Sequence, residues 1–143
     1  MRDILLYKLH EYIRQNNPEL LAALEESGNV TNYLEAKVDS IEKLLEELLR
    51  ENKPDYIIEE VCMDSLTKDL RPSKYNYILD ILEEDFSSTV YALQQSGTVR
   101  YEVMNIIDHS QLVFESLRFT EENEDSREIR YTVTGIISEY LAR

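Results

Sequence analysis

Few side chains in this sequence could do covalent or acid–base chemistry, and they are scattered. Cys62 is the only cysteine, and His10 and His109 are the only histidines. One thiol cannot form an intramolecular disulfide or a cysteine-rich zinc site, and the two histidines stand at unrelated spacing with no metal-ligand motif beside either. Cys62 falls with Ile58, Val61 and Leu66 on one face of a helix predicted from Asp55 to about Leu70. It therefore reads as a small buried hydrophobe, and nothing nearby in sequence would lower its pKa toward a reactive thiolate. A catalytic pairing of Cys62 with either histidine would have to be assembled by the fold. The acidic run Glu121, Glu122, Glu124 and Asp125 lacks the glycine and alternating oxygen ligands of a calcium loop, so it reads as acids at a helix N-terminus. No catalytic residues, no metal ligands and no cofactor are expected. The chain reads as a non-enzyme, with an enzyme of unrecognised site as one alternative.

The one tight basic group is Lys68, Arg71 and Lys74, in a turn leading into a helix whose free N–H groups also favour anions. It is a candidate site for an anion or an acidic partner segment, against the plainer reading of three solvated cations. The whole chain carries 29 acidic and 15 basic side chains, a formal net charge of -14. That charge repels phosphate backbones and anionic headgroups, which disfavours direct nucleic-acid and membrane binding. Its ordinary role is solubility. A sharper alternative is a nucleic-acid mimic of an anti-defence kind, with Glu46, Glu47, Glu59, Glu60, Glu83, Glu84 and Asp85 presented on three helices. Lys43, Arg50 and Lys53, interspersed among them, argue against it. The first fifteen residues carry Arg2, Asp3, Lys8, Glu11 and Arg14 in place of an apolar signal, and no apolar run approaches the ~20 residues of a membrane span. A cytoplasmic location is expected.

Helices must position these groups. With 143 residues, three Gly and three Pro, the chain is expected to be a single all-α domain over 1–143, a bundle of about six helices. The central one is predicted at about 73–94. There Tyr75, Ile78, Leu79, Ile81, Leu82, Phe86, Val90 and Leu93 cover roughly half the circumference of a helix, too much for a surface element, and the others should surround it. Ser73 is its expected cap, Ser87 and Ser88 a place to bend, and Phe86 a central core residue. Around it, a helix from Asp3 is ended by Pro18, and another runs from Pro18 to Gly28. Leu34, Val38, Ile41, Leu45 and Leu48 predict one helix from Tyr33 to Glu51, and a further helix runs from about Thr98 to Leu117. The last helix is expected to be capped by Asp125 and to cross a neighbour closely at Gly135.

Ten tyrosines accompany three phenylalanines and no tryptophan. Tyr7, Tyr33, Tyr77, Tyr91 and Tyr101 fall beside or opposite the apolar stripes, so part of the set should reach solvent. Tyrosine buries a large flat area at low entropic cost and keeps a polar tip, which suits protein interfaces. The leading expectation is a non-catalytic protein-interaction module, with a homo-oligomer as one form of it.

Short motifs along nearly the whole chain carry a resemblance: Tyr12-Ile13-Arg14 before Asn17-Pro18-Glu19-Leu20, Leu70 before Ser73-Lys74, Glu84-Asp85-Phe86, Val113-Phe114, and Tyr131-Thr132-Val133-Thr134-Gly135-Ile136. The chain resembles a bacterial domain-of-unknown-function family of small, acidic, helical proteins, often encoded on conjugative or other mobile elements. It departs from that pattern at Asn16, where the family tends to have His, and around Gly97. The resemblance implies an all-helical bundle with one helix surrounded by the others, and no activity or catalytic residues.

Overall fold

The computed structural model describes every residue from Met1 to Arg143, in nine α-helices, one short 3-10 turn and no strand. The chain divides into two compact units, Met1–Arg71 and Pro72–Arg143, each with its own apolar core. The expected arrangement of about six helices around one central helix is therefore replaced by two cores, each with its own central helix.

In the first unit that helix is α1 (Arg2–Asn16), whose Leu5, Leu9 and Ile13 are fully buried. It packs on α2 (Pro18–Ser27), α3 (Val30–Ser40) and α5 (Asp55–Thr67), while α4 (Glu42–Arg50) packs on α3 and α5. Pro18 disfavours a helical conformation at Asn17, which sits at φ -136° and separates α1 from α2. The single helix predicted from Tyr33 to Glu51 is interrupted: Ile41, at φ -111° and ψ 15°, divides it into α3 and α4. Ile58, Cys62 and Leu66 of α5 complete the core, whereas Val61 is turned outward.

In the second unit α6 (Lys74–Asp85) is central, burying Tyr75, Ile78, Ile81 and Leu82 and packing on α7 (Ser87–Ser96), α8 (Val99–Ser116) and α9 (Arg127–Leu141). The stretch predicted as one helix over 73–94 breaks at Phe86 (φ -135°), just before the two serines that compete for backbone hydrogen bonds. Phe86 is only partly buried against the core, at the break and not at its centre. Ser73 caps α6 as expected, its hydroxyl accepting from the Asn76 N–H at 3.0 Å. Ser126, not Asp125, caps α9. Gly135 makes no close crossing, since an added Cβ would meet nothing within 4 Å.

The two units repeat one plan. Asn17 and Phe86, 69 residues apart, share the same non-helical break; ten-residue helices follow; and Ser27-Gly28 and Ser96-Gly97, at the same offset, stop them. Both glycines are left-handed, at φ 73° and 72°, and both stops use the same pair of bonds. Gly28 N–H reaches Glu25 and Asn29 N–H reaches Leu24, as Gly97 N–H reaches Gln94 and Thr98 N–H reaches Leu93. The element that follows, α3 with α4, is three residues longer than α8: 11 and 9 helical residues around Ile41, against 18 in one run. An insertion of three residues shifts an apolar stripe around a helix, and here the helix breaks where the extra turn is accommodated. Both elements end on a non-glycine residue in the left-handed region, Asn52 (φ 57°) and Arg118 (φ 52°). A final helix with matching buried positions follows, Ile58, Cys62 and Leu66 in one unit and Ile129, Val133 and Ile137 in the other.

Candidate functional site

The groups with chemical potential fall in different surroundings. Cys62 is completely buried, and burial pushes its thiol pKa up, away from a nucleophile. It lies in the first unit with His10, while His109 lies in the second, in a clasp between α8 and α9. There the His109 Nδ1 stands 2.8 Å from the Asn105 carbonyl, which can only accept, so Nδ1 carries the proton. Its Nε2 then accepts from Arg143 Nη1 at 3.1 Å. The ring meets Tyr140 edge-on at 5.1 Å, and the Tyr140 hydroxyl donates to Glu102. Burial, then the Glu102 bond, raises the Tyr140 pKa. The clasp fixes one histidine tautomer and joins two helices. No group of three or more His, Cys, Asp or Glu side chains converges as a metal site would require.

The sequence-predicted basic group is distributed over both units. Lys68 is exposed in the 3-10 turn Lys68–Leu70. Arg71 is held within the first unit, pairing with the Asp64 carboxylate at 3.1 Å and donating to the Asp64 and Thr67 carbonyls. Lys74, in the second, donates to Gln111 Oε1 at 3.0 Å and lies over the Phe114 ring. Two of the three cations thus have partners already. The acid clusters fare in part similarly: Glu59 pairs with Lys8 at 2.9 Å, and Glu84 and Asp85 share Arg130 at 3.0 and 3.4 Å, while Glu46, Glu47, Glu60 and Glu83 are exposed. The acidic run is a loop organised by Asn123, whose side chain accepts from the Thr120 N–H and donates to the Arg118 carbonyl, both at 2.7 Å.

Large apolar side chains in solvent are the more distinctive feature. Of the five tyrosines singled out by spacing, Tyr7, Tyr91 and Tyr101 are exposed, while Tyr33 and Tyr77 are half-buried, which raises the pKa of both. Tyr56 and Tyr131 are exposed as well, and Leu112 is 78% exposed. Leu112 borders a groove between α8 and α9 of about 250 Å³, lined with Val113, Ser116, Leu117, Glu128 and Thr132. Sequence reasoning passed over Leu112, although it left a signal: it is an apolar residue off the stripe of Val103, Ile106, Ile107 and Phe114 that faces the core.

A family model described as a domain of unknown function (DUF1896) matches residues 4–142. No curated protein and no solved structure matches the chain.

Proposed function

The chain belongs to the DUF1896 family across nearly its whole length, and from that premise we propose that it is a non-catalytic module that binds another protein. The observation that carries this reading is the exposure of Tyr7, Tyr56, Tyr91, Tyr101, Tyr131 and Leu112 on a frame that has ample acidic surface for solubility. Aromatic side chains and leucine left in water gain most by being covered, and tyrosine does so at low entropic cost. The proposal treats residues 1–143 as one domain built of two units, because the family pattern runs through both. It also keeps the exposed Lys68 as a secondary contact for an acidic segment, takes from the family resemblance a bacterial, mobile-element context, and retains the cytoplasmic location expected from the sequence. The nucleic-acid mimic receives less support, since Glu59, Glu84 and Asp85 are already paired.

A photo-crosslinking amino acid placed in turn at Tyr7, Tyr91, Tyr101 and Tyr131 in the producing cell tests the reading. A discrete protein adduct from at least one position is expected, and no adduct from any would contradict it. Light scattering over a concentration series separates the forms: a constant 16.9 kDa removes self-association, and a doubled mass establishes it.

A further inference from the structure

We infer that the groove between α8 and α9 takes the apolar face of a basic amphipathic helix from another protein; this rests on the interaction reading above. The repeat supplies an internal control. Aligned on their common left-handed stops, Asn52 and Arg118, the positions of Leu112, Val113, Ser116 and Leu117 correspond to Glu46, Glu47, Arg50 and Glu51 in the first unit. Aligned on the core residues Cys62 and Val133, Tyr131 corresponds to Glu60. The same frame thus stands with charges at these places, and nothing in the fold requires Leu112 and Tyr131 to be apolar.

The shape and charge select the occupant. A cavity of about 250 Å³ is smaller than a typical small-molecule site, and it suits one or two anchoring side chains of a docked helix. Asp108 and Glu115 stand on the same face of α8 as Leu112, at i−4 and i+3, and Glu128 lines the opposite wall from α9; all three are exposed. An apolar floor with an acidic rim matches leucine-type anchors flanked by lysine or arginine. A second copy of this chain would bring a net charge of -14 against its like.

The probe is a Leu/Lys peptide of about 18 residues, ~27 Å as a helix, with leucines at i, i+3, i+4 and i+7. It is titrated into the full-length ¹⁵N-labelled chain beside a peptide of the same composition in scrambled order. Shifts centred on Leu112, Val113, Ser116 and Thr132 are expected, with the scrambled peptide and the Leu112→Glu variant each weaker by at least ~10-fold. Glu128→Lys, on the groove's α9 wall and exposed, should weaken binding in the same direction without altering the helical spectrum. Equal binding of the scrambled peptide, shifts spread over the acidic surface, or no binding overturns the proposal. A dimer in light scattering that Leu112→Glu dissolves would also overturn it, assigning the face to a second copy while leaving the interaction reading in place.

Discussion

Lys8 and Tyr77 lie 69 residues apart, at the same place on the two central helices, and they are held in opposite ways. Lys8 reaches across to Glu59 at 2.9 Å, a pair at the surface. Tyr77 instead packs its ring edge-on against Phe119 at 4.7 Å and Phe114 at 6.0 Å. The first unit adds Arg2–Asp39 and Lys37–Asp69 between its elements, where the second has the Arg130 pairs with Glu84 and Asp85 beside its aromatic group. Exposed ion pairs contribute little, ~1 kcal/mol or less, whereas buried aromatic contacts add to an already large apolar burial. The difference teaches that the common frame is set by the buried stripe and the helix stops, since the side chains around it can be exchanged between charge and hydrocarbon without altering it.

The largest effects should come from the frame itself. Leu9→Ala and Ile78→Ala sit at corresponding, fully buried positions, and each should cost about 2–5 kcal/mol in chemical unfolding by leaving a cavity. A cost below ~1 kcal/mol at either would mean that its helix is not central to its unit. Gly28→Ala and Gly97→Ala should each cost about 1–2 kcal/mol, equal within error, because neither site lacks space and only the left-handed backbone is strained. Unequal costs would show that the two stops are not equivalent. Gly135→Ala has no counterpart and should raise stability by up to ~1 kcal/mol, read as a higher melting temperature, since the site is open and helical. Smallest of all, Tyr77→Phe should be neutral or slightly stabilising, because the Tyr77 hydroxyl oxygen is buried without a hydrogen-bond partner. Burial raises the Tyr77 pKa in the folded chain, so its contribution is intact below the ordinary tyrosine value near ~10 and falls as pH rises past it. Tyr77→Phe should remove part of that alkaline loss in pH-dependent melting curves.

The helices were largely legible, because their signals are local. Pro18, Gly28, Ser73 and Gly97 mark starts and stops that the structure keeps, and the stripes through Leu9, Ile78 and Val133 face inward as their spacing requires. The breaks were harder. Ile41 is itself apolar and lies in step with Leu34 and Val38, so a heptad count passes straight through the place where the helix stops. The repeat leaves one short trace in the residues, Ala23-Leu24, Ser27-Gly28 and Val30 against Ala92-Leu93, Ser96-Gly97 and Val99, but at the breaks the residues are chemically unlike, Asn17-Pro18 against Phe86-Ser87, although Asn17 and Phe86 take nearly the same dihedral angles. With the repeat unseen, one central helix stood in for two. Of the candidate site, the exposure of several tyrosines could be anticipated, but the groove could not, since it depends on how α8 and α9 converge beside Leu112.

Hydrogen exchange followed residue by residue in Leu9→Ala and in Ile78→Ala tests the two-core account most directly. Each core closes on its own central helix, so Leu9→Ala should lose protection first within Met1–Arg71, and Ile78→Ala first within Pro72–Arg143. Equal loss of protection along the whole chain in both variants would contradict it and return the protein to a single core.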